Sequence, residues 1–245
     1  MAPSELRKMA RESLKGNWGK GVCIILAYFL ITFLIGFVMG FFEKNSFVYT
    51  LLYIAEIVIT LPLSFGLIIS FIKLKRNEQT SSFGFLSNGF SRFKRAWAVY
   101  FRTLVKLILP IICLILSVML MVLLIMMTSK SWFFALIGVV LYIVTIVYVV
   151  SRSLLYSLAY FIAYDEPSLS SKECVEKSES LMLGNRGNYL LLELSFIGWA
   201  FLACLTFGIG FLWLIPYMQI SLVCFYEKVA KIEEKPAEEV EKVEE

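Results

Sequence analysis

From Val22 to Phe42 the chain reads VCIILAYFLITFLIGFVMGFF, twenty-one residues without a charge. A helix needs about 20 apolar residues, each rising about 1.5 Å, to cross a hydrocarbon core roughly 30 Å thick. Inside that core every backbone N–H and C=O must find a partner within the protein, and a helix supplies them all from one segment. The stretch exceeds the roughly 7–15 apolar residues of a cleaved leader and has no small-residue cleavage site, so a retained span is expected.

Further apolar runs extend from Phe47 to Ile72, Leu104 to Met127, Trp132 to Tyr164, Tyr189 to Thr206 and Ile209 to Phe225, bringing the expected spans to six. Composition agrees, since 59% hydrophobic and 17% charged residues in a chain of 245 leave more apolar surface than a soluble core can hide. The connections after the first, third and fifth runs are short: Glu43 to Ser46, Thr128 to Ser131, and the turn around Phe207 and Gly208. The others are long. The predicted fold class is therefore an all-α, polytopic membrane protein whose six transmembrane helices form three hairpins.

Lys and Arg set the orientation, because they are retained on the cytoplasmic side of short loops. Five precede the first run, eight lie from Lys73 to Lys106, three lie between the fourth and fifth runs, and four lie in the tail. The short connections hold only Lys44 and Lys130. Both termini are thus expected in the cytoplasm, with the lipid bilayer, and its anionic inner leaflet in particular, as the first partner. The net charge of +4 says little about nucleic acid in so apolar a chain, and none is expected as a partner.

Each hairpin follows a polar stretch with helical periodicity. In the first, Ser4 is a candidate cap, Glu5 lies in the first turn, and Leu6, Met9, Ala10 and Leu14 share a face opposite Arg7, Lys8, Arg11 and Lys15. In the second, Leu86, Phe90, Phe93, Trp97, Tyr100 and Leu104 form an apolar stripe; Arg92, Arg95, Arg102 and Lys106 keep to another face and are candidate contacts for anionic lipid. In the third, Ser170 and Glu173 have capping-box spacing, and Val175, Ser178, Leu181 and Met182 line one side. The domain reading is one six-span unit over 1–227, divisible into repeats 4–72, 81–164 and 169–226. Basic anchors that resemble one another by chance would give the same pattern. Residues 228–245, rich in Glu, read as an acidic, disordered cytoplasmic tail.

Catalytic machinery is hard to find. There is no histidine, and the nucleophile-elbow, Cys-x-x-Cys and phosphate-loop patterns are missing. Cys23, Cys113, Cys174, Cys204 and Cys224 have no disulfide or zinc spacing, so neither metal nor cofactor is expected. What remains are ionisable groups in apolar runs, which are costly enough in lipid to be candidate sites. Glu56 is the deepest, roughly 15 Å from the start of its run. It reads either as a proton or cation site or as a neutral acid bonded to a neighbouring helix. Arg152 interrupts the fourth run and marks either its end or its interior, with Glu193 as its expected partner. Pro62, Pro110 and Pro216 each free a carbonyl within a span, and Gly36 and Gly40 permit close helix approach.

Several motifs are recognisable in order: Leu14-Lys15-Gly16-Asn17-Trp18, Ser178-Glu179-Ser180-Leu181-Met182-Leu183-Gly184, Ser195-Phe196-Ile197-Gly198-Trp199, Gly208-Ile209-Gly210 and Pro216-Tyr217. With them the chain resembles a bacterial integral membrane family of domain of unknown function 975. That family is itself similar to the membrane domain attached to some glycerophosphodiester phosphodiesterases. The resemblance implies a six-span bundle in the plasma membrane of a Gram-positive bacterium, and it brings no activity or catalytic residue. The soluble phosphodiesterase domain is not expected in this sequence, which argues against that activity. Three functional readings follow: a non-enzymatic protein that organises, anchors or binds lipids or a membrane-protein partner; a small transporter or channel using Glu56; and an intramembrane lipid-modifying enzyme.

Overall fold

The computed structural model describes residues 2–44, 46–127 and 132–241. The second short connection, Thr128 to Ser131 with Lys130, Asn45 of the first, and the last residues of the acidic tail lie outside these. All described secondary structure is helical: α1 (Pro3–Leu14), α2 (Trp18–Met39), α3 (Phe47–Lys75), α4 (Gly84–Ser91), α5 (Phe93–Met127), α6 (Trp132–Ser153), a 3-10 turn (Leu154–Tyr156), α7 (Ala159–Asp165), α8 (Ser171–Met182), α9 (Arg186–Leu194), α10 (Ile197–Leu205) and α11 (Phe211–Glu241).

Among the described residues, five helical stretches are long and apolar enough to cross a membrane: Trp18–Met39, Phe47–Lys75, Phe93–Met126, Leu136–Asp165 and Arg186–Leu205. The sixth expected span, Ile209 to Phe225, falls at the start of α11 and is not among them. Gln219 and the charges at Glu227 and Lys228 dilute its apolar character. Two of the five are broken. The fourth changes to a 3-10 turn after Ser153, and the fifth is interrupted at Ser195 and Phe196. α11 also continues into the segment expected to be a disordered tail, with Val229 buried in the core.

Packing is concentrated at one end of the molecule, the base. There α1, α4, α7 and α8 lie among the adjoining ends of the long helices, and the buried residues form one cluster running from Leu6 through Phe65, Phe71, Leu155, Val175 and Phe196 to Val229. Away from the base the hairpins face outward: Phe33 is 66% exposed, Leu109 63% and Phe201 66%. In the α5–α6 hairpin the two helices pack chiefly on each other, whereas α2 meets α11 as extensively as it meets α3. A Cβ at Gly36 would meet only open space, so the Gly36/Gly40 spacing joins no helices within the described chain.

The apolar faces of the polar helices are built into the base. Leu6, Ala10 and Leu14 of α1 are fully buried, as are Cys174, Val175, Ser178 and Met182 of α8. The pattern is cyclic: α4 packs on α3, α8 on α7 and the 3-10 turn, and α1 on α11. Each polar helix thus leans on the end of the hairpin before it, and the first leans on the last.

Local chemistry accounts for the ends. The capping box is present, with the Ser170 hydroxyl accepting from Glu173 N–H and the Glu173 carboxylate accepting from Ser170 N–H. At α1 the expected Ser4 cap is not used; Ala2 occupies the cap position, because Pro3, with its preset φ and no N–H, begins the helix. The exits from α1 and α8 match. Gly16 and Gly184 adopt φ of +85° and +83°, where a Cβ is unfavourable, and Asn17 and Asn185 donate their backbone N–H to Leu14 and Met182 at 2.8 and 3.1 Å.

The middle unit departs from its expected stripe. Phe85, Gly89, Ala96 and Val99 are buried, whereas Phe90 is 44% exposed. The reason is close backbone approach: a Cβ on Gly66 would strike the Phe85 carbonyl, and one on Gly89 would strike the Pro62 carbonyl. Small residues must face α3, so the large aromatics turn aside. Pro62 also leaves the Val58 carbonyl without its usual i+4 donor, and the Trp97 indole N–H donates to it at 3.4 Å.

Candidate functional site

The base carries nearly all the polar structure, in three groups. The first borders an open cleft of about 1020 Å³ whose lining includes Lys75, Arg76, Asp165, Lys177 and Glu227. Arg76 follows α3 and meets Asp165 through two hydrogen bonds of 2.7 and 2.8 Å, while its Nε donates to Glu227 at 3.2 Å. Hydrogen bonding to Asp165 raises the Arg76 pKa above its ordinary value, so the guanidinium stays charged. Lys75 joins Glu227 at 3.1 Å and Lys177 joins Glu166 at 2.9 Å. These cations and carboxylates are matched to one another, which ties α3, α7, α8 and α11 together. They present no free nucleophile beside a base.

The second group repairs the broken fourth span. Ser178 of α8 donates to the Leu155 carbonyl at 2.8 Å and accepts from Leu158 N–H at 3.2 Å, so one buried hydroxyl satisfies two groups left over by the 3-10 turn. Arg95 of α5 reaches the end of α7 and donates to the carbonyls of Ala163, Glu166 and Pro167 at 2.7, 2.8 and 3.2 Å. Its neighbour Cys174 is buried beside it, and burial pushes that thiol above its usual range. Arg92 lies over the Tyr164 ring, 5.1 Å from its centre. Two expected lipid contacts, Arg92 and Arg95, are therefore engaged within the protein, because the aromatic stripe turned and carried the basic face toward α7.

The third group forms where α5, α6 and α9 leave the base. Lys106 and Arg152 bracket Glu179 of α8 at 3.4 and 3.8 Å, Arg152 also donates to the Tyr156 hydroxyl at 3.3 Å, and Arg186 donates to the Ser151 hydroxyl at 3.0 Å. The partner of Arg152 is thus Glu179, not Glu193. α8 places Glu179 against the last turn of α6, a proximity created by the tertiary fold. Glu193 instead lies beside the Tyr189 side chain, one helical turn before it on α9. Arg102 is exposed and makes no hydrogen bond or ion pair among the described residues. Glu56 stands apart from the base. It is half-buried between α2 and α3, without a hydrogen bond or ion pair among the described residues, and borders two grooves of about 300 and 320 Å³, the second of which Lys44 also lines. No group of three or more potential metal ligands occurs among the described residues.

A family model described as "Protein of unknown function (DUF975)" matches residues 1–233. The chain belongs to the DUF975 family. Membership makes it a bacterial, multi-pass integral membrane protein, in agreement with its five long apolar helices. Comparison with curated proteins and with solved structures gives no match. For this DUF975 chain, function must be argued from the residues alone. Sequence reasoning found Arg152 and Lys106 but missed Glu179, Arg186 and Asp165. The charge of Glu179 within an otherwise polar amphipathic helix was visible; its approach to α6 was not.

Proposed function

We propose that this DUF975 protein is a non-enzymatic organiser of the inner leaflet, with the base and both termini on the cytoplasmic side. The observation that carries the reading is the contrast between a closed base and hairpins that spread their apolar surfaces above it. In a bilayer the spaces between the hairpins are filled by acyl chains. The basic loops at the base, rich in Lys and Arg, suit the cytoplasmic, anionic side. On this reading α11 is the sixth span, carried by its apolar first half, and the three units are repeats whose polar helices interlock in a ring. The matching exits at Gly16 and Gly184 support the repeat.

The test is electron spin resonance of spin-labelled phosphatidylglycerol with the protein reconstituted in phosphatidylglycerol/phosphatidylcholine bilayers. Spread hairpins should hold clearly more motionally restricted lipid per chain than the perimeter of a compact six-helix bundle. A value equal to that perimeter would contradict the reading.

A second reading rests on Glu56, whose carboxylate borders two grooves and has no partner among the described residues. Here the protein moves protons or cations. Uptake driven by a pH gradient in proteoliposomes, lost in Glu56→Gln, would favour transport; wild-type vesicles no leakier than empty ones would end it.

A further inference from the structure

We infer that the basic group at the foot of α5, α6 and α9 is a binding site for the phosphate of an anionic inner-leaflet phospholipid, a site that deepens the lipid-organising reading and rests on it. Lys106, Arg152 and Arg186 come from three different helices; Glu179 is the carboxylate that meets the first two, and Arg186 reaches only the Ser151 hydroxyl. This excess of positive charge contrasts with the cleft at α3 and α11, where each cation named above has its own carboxylate. Arg102 adds a further exposed cation one helical turn from Lys106.

Two details show that the group is incompletely satisfied. The Nε of Arg152 is buried and has no acceptor. The side chain of Asn185, at the cap position of α9, donates to the Leu181 carbonyl instead of capping the helix, so the first N–H groups of α9 are left open beside Arg186. A phosphate placed between Arg186 and Arg152 would accept from both guanidinium groups and from the α9 terminus.

The surroundings fit a phospholipid better than a free ion. One turn beyond Arg186 lies Leu190, and one turn beyond Ser151 lies Val147, exposed by 38% and 62%. These apolar residues begin the outward-facing flanks of α9 and α6. A headgroup held at the base would therefore send its acyl chains along them. The site would seat lipid between the second and third hairpins, at the place where the fourth span breaks.

Native mass spectrometry of the full chain, released from nanodiscs containing equal amounts of phosphatidylglycerol and phosphatidylcholine, tests the inference. Wild type should retain phosphatidylglycerol preferentially, and a Lys106→Gln, Arg152→Gln, Arg186→Gln variant should lose that preference by about tenfold or more. Should the triple variant fail to fold, Arg186→Gln, which loses only the bond to Ser151, should still reduce the preference severalfold at unchanged Tm. Retention unchanged in a folded variant overturns the site, while the restricted lipid seen by spin resonance would leave the organising reading standing. Displacement of the lipid by millimolar inorganic phosphate would also overturn it, by showing a free-phosphate site. No retained lipid and no restricted lipid together would remove both.

Discussion

The base and the outer hairpins are made from the same helices yet obey different rules. At the base α3 buries Leu63, Phe65, Ile69, Phe71 and Ile72 completely; toward its other end Leu51, Ile54 and Ile57 remain 43–52% exposed. Water expels apolar surface only where water is present; on the proposed topology the base reaches the membrane boundary, and there burial and ion pairing hold the chain together. In the hydrocarbon core, lipid is as good a neighbour as leucine, and helices associate only through close packing or hydrogen bonds. The outer hairpin halves have few polar groups and, at Gly36, a small residue that no other helix approaches. They can therefore remain apart. The fold is specified at one end and solvated by lipid at the other.

This contrast can be broken most severely at the α3–α4 contact. Gly89→Ala places a methyl group on the Pro62 carbonyl, forcing two backbones apart, and should destabilise the base by about 3 kcal/mol or more. A matched change on the outer hairpin, Ile112→Ala, should stay within about 0.5 kcal/mol because lipid replaces the lost contacts. Thermal unfolding of both in one detergent measures the difference. Equal effects would mean that the two regions are packed alike.

Next in size is Ser178→Ala, which removes only the hydroxyl and strands the Leu155 carbonyl and the Leu158 N–H. A loss of about 2–3 kcal/mol is expected, with Ser178→Thr intermediate. Arg95→Met should cost about 2 kcal/mol by removing charge-assisted bonds to the α7 carbonyls, whereas Arg102→Met should be near neutral for stability. Comparison of the two separates basic residues that build the base from those that face lipid or solvent.

The smallest effect is a pH dependence at α8. Backbone hydrogen bonding from Ser170 lowers the Glu173 pKa below its ordinary 4.5, so the ionised form is favoured in the folded state. Its stabilisation is complete above that ordinary value and is lost as pH falls through the lowered folded pKa. Glu173→Gln should accordingly flatten the acid limb of Tm against pH slightly, without changing Tm at neutral pH by more than a degree or so.

Much of the base was legible in the sequence because local rules govern it. The α1 face of Leu6, Ala10 and Leu14, the capping box at Ser170 and the helix exits at Gly16 and Gly184 all follow from periodicity and backbone preference. The middle unit was misread because size was taken as a guide to burial, when the contact at Gly66 and Gly89 admits only small residues. Arg152 was recognised as exceptional, but its pairing with Glu179 depends on how α8 docks, which no spacing encodes. The spread of the hairpins was equally hidden: an apolar helix that faces lipid and one that faces protein share the same composition.

The central claim is that the hairpins stand apart in the bilayer above a closed base. Single spin labels placed in turn from Ile108 to Leu120 on α5, in a cysteine-free background reconstituted in nanodiscs, would report oxygen accessibility along one outer helix. The account predicts high accessibility everywhere except on the stripe facing α6. A second protected stripe, facing α3 or α10, would show that the hairpins close on one another and would contradict it.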